Sequence, residues 1–398
     1  MNLQERVRLD SPEFFASRPE AALAALRDEA PVYRDEHTGC WLLSRHDDVL
    51  WAFRNPDLFA SRFGTSPEEH ENPGWVYEHT VTGSEFLLLT DPPAHTALRA
   101  LFSPAFTRAA FEAWEVNLRK TVATILDGLP VGEEFDGYTE LARQVSLLSI
   151  CDFVGIPRED ADWVKGATAA WSPAPTLPAA PPSAFAADMS LEEYFAFLLA
   201  ERAREPREDL LSVIATAEGG PSTLATKLMF CIDVFVAGDE PTADAIAGGF
   251  EALIADPSQA ELLFGTLDIV PGAVEEILRW SSPIPVMCRT TVGDIEVRGQ
   301  TIPADSYVYL MLFSANRDED VWESAGRFEV TRPGAAKNVT FGRNAHACIG
   351  AGIVRRTLRV LFEEFIPRFR TVSGTGPVVR NRSVHMPFIR ELPMRLER

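Results

Sequence analysis

Apolar residues recur at helical spacing along much of this chain, with short alternating stretches between the helical runs. Pro19–Ala30 predicts a helix. Val32–Arg34 and Trp41–Ser44 predict two short strands around a His-Thr-Gly turn, and His46 opens a helix that stops before Asn55-Pro56. Residues 60–86 show no period and predict a long loop, a feature that often serves as a lid or binding surface. Residues 108–171 predict three helices, broken at Gly128-Leu129-Pro130 and Gly155-Ile156-Pro157. Ser172–Ser183 is too dense in proline to continue a helix and reads as a linker or a covering loop. Ser190–Arg204 is helical again, and Thr223–Ala255 predicts a long, mostly apolar helix of the kind buried in a core. Val274–Trp280 and Ile353–Phe365 predict further helices. Met287–Val292, Ile295–Val297 and Tyr307–Phe313 predict strands, and Ser383–Leu392 a hairpin. The expected class is mainly α with small β-sheets.

The long helix is interrupted by Ala237-Gly238-Asp239-Glu240-Pro241-Thr242. Pro241 removes a backbone donor and crowds the carbonyl of Ala237, so a kink is expected there. The bend is either structural or a groove over a bound group. Asp233 lies one turn earlier on the same face. A carboxylate in a buried helix needs a partner, either a neighbouring side chain or a basic or N–H-bearing ligand.

Composition narrows the class. The 398 residues are 46% hydrophobic and 24% charged, as in an ordinary globular protein. No Gly/Ser linker, repeat or charge block divides residues 1–398, so one domain is expected. The net charge of −21 argues against nucleic acid and against an anionic membrane surface. No run approaches the roughly 18 apolar residues of a spanning segment, and the N-terminus lacks a signal-peptide core. Five scattered cysteines suit a reducing cytoplasm better than a disulfide framework or a zinc site.

One of them, Cys348, stands in Phe341-Gly-Arg-Asn-Ala-His-Ala-Cys-Ile-Gly-Ala-Gly352, directly before a predicted helix. Unpaired N–H groups and the helix dipole at that point favour thiolate over thiol. Gly350 and Gly352 carry no Cβ, which leaves room for a flat group against the backbone. A second informative stretch is Asp91-Pro92-Pro93-Ala94-His95-Thr96-Ala97-Leu98-Arg99. His95 and Arg99 share a helix face and can clamp a carboxylate, although a bare HxxxR also occurs on solvated faces. Glu276 and Arg279 form an ExxR pair, a weak signal alone.

The pattern Phe-Gly-x-x-x-His-x-Cys-x-Gly resembles the haem-ligand signature of the cytochrome P-450 superfamily, of the bacterial, soluble, ferredoxin-dependent kind. Asn344 stands where that family usually has Gly; Asn also tolerates left-handed backbone. The resemblance, which runs from about residue 18 to 396, implies the P-450 fold with its long central helix over haem b. It implies Cys348 as axial ligand of the iron, with Phe341, Arg343, His346 and Gly350 around the cofactor. His95, Arg99, Arg289 and His346 would neutralise its propionates. The lid would be the loop at about 172–188. Ala237, Gly238, Glu240, Pro241 and Thr242 resemble the oxygen-binding groove, except that Pro241 takes the place of the family's Thr. Pocket candidates are Asp233, Val236, Val286, Met287, Met386 and Phe388. Glu276, Arg279 and Arg332 would form a structural ion network. Arg355, Arg356 and Arg359 would dock a ferredoxin that brings electrons from NAD(P)H by way of ferredoxin reductase.

The implied activity is O2-dependent oxidation of a small organic substrate, such as hydroxylation in secondary-metabolite biosynthesis. Pro241 raises an alternative, coupling or desaturation without net oxygen insertion. A non-catalytic haem sensor or carrier is the third possibility.

Overall fold

The computed structural model describes residues 2–64, 81, 83–168 and 189–398. The covering loop expected at 172–188 lies outside the described residues, as does most of the predicted loop at 60–86.

The helix Leu224–Ala255 is the axis of the molecule. Its first turn is capped by Thr223, whose Oγ1 accepts the Thr226 N–H at 3.1 Å. Arg143–Val154, Leu191–Arg204, Val270–Ser281 and Ala351–Phe365 are all helices packed against it. The packing is largely aromatic: Phe102 stacks on Phe230 at 3.8 Å between centroids, and Phe250 meets Phe365 at 5.0 Å. All three phenylalanines of the axial helix, Phe230, Phe235 and Phe250, are almost fully buried. Removing such a ring leaves a cavity and costs about 3–5 kcal/mol.

Pro241 sits inside this helix, which nevertheless runs unbroken to Ala255. Ser146, on the neighbouring helix Arg143–Val154, donates its hydroxyl to the carbonyl of Asp239 at 2.6 Å. This extra donor ties the axial helix to its neighbour where proline has removed a backbone N–H.

A five-stranded sheet lies beside the helices, in the order Val32–Arg34, Trp41–Leu43, Tyr307–Leu310, Met287–Thr291 and Phe59–Ala60. Trp41–Leu43 runs parallel to Tyr307–Leu310, whereas the other pairs are antiparallel. The register sets Arg289 opposite Val308. The strand expected over Tyr307–Phe313 ends at Leu310, and Leu312–Ala315 turns into a helix. Buried Arg27 holds that turn by donating to Ser314 O and Oγ. The C-terminal hairpin starts earlier than Ser383, pairing Val379–Arg380 with Ile389–Glu391. Two helices not expected from periodicity, Leu210–Thr216 and Pro257–Phe264, are short and begin at side-chain caps, Asp209 and Asp256.

The weak ExxR signal resolves into a closed buried cluster. Arg279 grips Glu276 through two hydrogen bonds of 2.7 Å, and Arg332 Nε reaches the same carboxylate at 3.0 Å. The remaining guanidinium N–H groups point at carbonyls of Asn316, Ala325, Glu323, Ser324 and Arg327. All three residues are buried. The cluster therefore fastens the chain before the Cys348 loop to the Val270–Ser281 helix.

Candidate functional site

Cys348 lies in the loop that precedes the helix Ala351–Phe365. Its amide donates to Phe341 O at 2.8 Å, closing the loop on itself. Gly342 and Asn344 both have positive φ, 60° and 61°. Asn344 thus adopts the left-handed backbone expected of it. Its side chain is tied to Arg54 O at 3.3 Å. Arg343 turns back on this loop, donating to Asn338 O at 2.6 Å. Phe341 lies beneath the guanidinium of Arg355, 4.6 Å from ring centroid to Cζ.

Two expectations for the loop change. Burial pushes the Cys348 thiol up, against the lowering effects of the Gly350 N–H and the Arg99 charge. The helix start does not by itself make this a thiolate. The glycines also differ from each other. A Cβ on Gly352 would lie 2.5 Å from the Phe111 ring, so packing against Phe111 requires this glycine. A Cβ on Gly350 would sit 3.9 Å from Cys348 Sγ, an ordinary contact.

Cys348 is accessible to solvent and yet is raised by burial. The two observations agree if its sulfur borders a space inside the protein. The axial helix opens onto the same space. Ala237 is exposed in the middle of this otherwise buried helix, and Asp233 and Pro241, one turn to either side, are partly open. The charge of Asp233 acts on Cys348, raising its thiol. Asp233 itself is pushed up to about 7 by burial, and no side chain among the described residues pairs with it.

Beside Cys348 lies a group of basic side chains to which no carboxylate is hydrogen-bonded among the described residues, although the Asp91 charge acts on His95 and Arg289. The His95 and His346 rings stand 4.1 Å apart. Both ring nitrogens of His95 and Nε2 of His346 are buried without a hydrogen-bond partner among the described residues. Arg289, also buried, donates only to the carbonyl of Cys288, and Arg99 to the carbonyl of Ala345. Burial lowers His346 to about 3, helped by the charges of Arg289, His95 and Arg99. The nearby carboxylate of Asp91 is engaged by the Ser61 amide and by Arg62. Four basic groups, His95 and Arg289 buried and Arg99 and His346 half-buried, therefore stand with unfilled hydrogen-bonding capacity beside a cysteine sulfur. The donor set fits a flat cofactor that takes a sulfur ligand on one face and carries two carboxylates at its edge. The fit holds for haem.

The acid-bearing groove is arranged differently from expectation. Burial alone would raise Glu240, but Lys165 at 2.6 Å and Arg390 at 3.2 Å hold it below the usual range. Asp239 lies 2.7 Å from Lys165 Nζ, off the hydrogen-bond angle, and burial raises it. Arg390 also reaches Tyr138 Oη at 2.8 Å. Lys165, Arg390 and Tyr138 left no signal in the sequence, because they come from three distant segments. Thr242 is buried, and its hydroxyl has no partner among the described residues. It follows Gly238 by one turn, and a Cβ on Gly238 would meet Ile150 at 2.5 Å. Thr242 therefore belongs to the face packed on Arg143–Val154, while Pro241 belongs to the open one.

The pocket candidates also divide. Val236, Met287 and Met386 are partly open. Val286 instead packs into a core cluster with Val7, Phe14 and Tyr309, and Phe388 is almost fully buried. These two are core residues because the strand alternation turns Val286 to the far side of Met287. Ile284 is the partly open neighbour. On the proximal helix, each arginine has acids beside it: Arg355 meets Glu275 at 2.5 Å, Arg359 meets Glu115 and Glu363, and Arg356 lies 3.6 Å from Glu115. The expected basic patch is a mixed-charge surface. Among the described residues no group of three or more His, Cys, Asp or Glu could hold a bare metal ion, and no helix is long and apolar enough to cross a membrane.

Residues 187–387 match the family model described as Cytochrome P-450. The chain is 32% identical over 384 residues to cytochrome P-450 130 of Mycobacterium tuberculosis, covering 92% of this chain and 93% of the relative. It is 31% identical over 389 residues to a vitamin D(3) 25-hydroxylase of Pseudonocardia autotrophica, covering 96% and 94%. The fold superposes on the crystal structure of CYP108D1 from Novosphingobium aromaticivorans with a TM-score of 0.85 at 27% identity, covering 99% and 98%.

Proposed function

The chain belongs to the cytochrome P-450 family of haem-thiolate monooxygenases, and on that premise we propose that it hydroxylates a small organic substrate of secondary metabolism, using electrons from NAD(P)H delivered by ferredoxin reductase and a ferredoxin. Haem held by a cysteine thiolate supplies oxygen activation at its iron. Cys348 is the residue placed to provide that sulfur. His95, Arg99, Arg289 and His346 hold the two carboxylates at the cofactor's edge. Ala237 and its open neighbours leave space on the opposite side for substrate.

The observation that carries this reading is the unpaired basic group around His95 and His346. Buried polar groups without partners are costly, at about 1–3 kcal/mol each, and three unpartnered ring nitrogens gathered beside two arginines support a ligand that fills them. The test is the spectrum of the reduced protein under carbon monoxide. A far-red-shifted Soret band is expected in the wild type and should be absent in Cys348→Ser. A band indifferent to Cys348 would overturn the assignment. The hydroxylase named among the relatives supports insertion as the reaction class.

A second reading follows from the groove. Glu240 is held ionised between Lys165 and Arg390, Thr242 is turned into the neighbouring helix, and Pro241 has no hydroxyl. The open face therefore lacks the hydroxyl that would position a proton. This favours substrate oxidation by coupling or desaturation. Product mass separates the two: one added oxygen for insertion, two hydrogens fewer for desaturation.

A further inference from the structure

The open face of the axial helix bears one ionisable side chain, Asp233, which has no partner among the described residues. Every other carboxylate on that helix is engaged. Asp239 lies against Lys165, Glu240 is gripped by Lys165 and Arg390, Asp244 accepts the Ile389 amide at 2.7 Å, and Glu251 pairs with Arg380. Asp233 has no cation, hydroxyl or amide among the described residues. It lies one turn from exposed Ala237 and acts electrostatically on Cys348, so it faces the space where substrate would sit. The cations that also border that space, Arg99 and Arg289, are those assigned to the cofactor carboxylates. Among the described residues, its open neighbours on the same helix, Val236 and Ala237, are apolar. A carboxylate without a partner among the described residues, set beside apolar neighbours, is an unfilled site for a cation.

We infer that Asp233 anchors the substrate, and that the substrate is an apolar molecule carrying a cationic nitrogen. This rests on the haem-pocket reading above and adds the substrate class to it. The acidity of the whole molecule acts in the same direction: a net charge of −21 attracts cations and repels anions at long range. Asp233 sits near the midpoint of its titration at neutral pH, so an entering cation holds it ionised. The anchor fixes one end of the substrate about one helical turn from Ala237, and the distance from the nitrogen to the reacting carbon then selects the position oxidised.

The test uses the haem-loaded protein and a probe pair of equal shape, benzyltrimethylammonium and its uncharged carbon isostere neopentylbenzene. The quaternary nitrogen has no lone pair, so it cannot ligate the iron and reports charge alone. Affinity is measured by equilibrium dialysis, with the spin-state shift of the Soret band as a second readout. The wild type is expected to prefer the cation by about tenfold or more. Asp233→Asn should lose that preference while binding neopentylbenzene unchanged, and Asp233→Glu should restore part of it. Equal binding of the two probes by the wild type, or a preference that survives in Asp233→Asn, would overturn the inference. Failure of the underlying reading looks different: the carbon monoxide band would then be missing or independent of Cys348, whatever the probes do.

Discussion

Two clusters of basic side chains, one around Glu276 and one around His95, are built in opposite ways. Around Glu276, two arginines share one carboxylate, and their remaining N–H groups meet backbone carbonyls. Around His95, two arginines and two histidines share no hydrogen-bonded carboxylate, and three ring nitrogens have no partner, among the described residues. The first cluster is complete within the chain; the second needs something from outside. Burial alone does not separate a structural cluster from a ligand site. Unfilled hydrogen-bonding capacity does.

The comparison breaks most severely at Glu276. Glu276→Gln leaves Arg279 buried without a counter-charge and Arg332 with only Glu329 at 3.4 Å, so the unfolding free energy should fall by about 3–5 kcal/mol in denaturant titration. In the open cluster the expected sign reverses. Arg289→Leu removes a buried cation that the chain does not neutralise, so the cofactor-free protein should be as stable as the wild type or more so. The loaded protein should release haem to an excess of apomyoglobin faster by roughly 10–100-fold, corresponding to the loss of one or two charge-assisted hydrogen bonds. Equal destabilisation of both forms would place Arg289 with the structural cluster.

A moderate effect is expected at Gly352, which is set by packing rather than by a ligand. Gly352→Ala drives a methyl into Phe111 and should cost about 1–3 kcal/mol, and Phe111→Leu in the same chain should relieve part of it.

The smallest effect concerns pH and contrasts two aspartates of the axial helix. Asp244 and Asp233 are both raised to about 7 by burial, the first against the pull of the Ile389 amide, the second against nothing. A carboxyl raised in the folded state binds its proton more tightly there than in the unfolded chain. Its contribution to stability is therefore complete below about pH 4 and lost as pH rises through 7. Thermal midpoints measured between pH 4 and 8 should show this component as a decline with rising pH, and Asp244→Asn should flatten it. A slope unchanged by Asp244→Asn would mean that the carboxyl titrates as it does in solvent.

Much of the molecule was legible because its signals are local. Helices such as Arg108–Gly128 and Leu224–Ala255 follow from periodicity and caps, and the left-handed turn at Asn344 follows from the residue types around it. What misled was equally specific. Gly352 invited a ligand and is explained by Phe111. The arginines at 355, 356 and 359 look like a basic run and are countered by Glu275, Glu115 and Glu363. Val286 follows strand alternation into the core. Helix periodicity fixes which residues share a face, but not which face turns to a neighbour and which to a cavity.

The mainly helical architecture and the placement of Cys348 before a helix were already written in the residue pattern. These depend on contacts within a few residues, where backbone geometry leaves little choice. Long-range packing brings Glu240 between Lys165 and Arg390, turns Thr242 away from the open face, and leaves Asp233 without a partner among the described residues. Each of these depends on groups more than 70 residues away in the chain or on their absence, and a charge buried at low dielectric responds to whatever lies within a few ångströms in space.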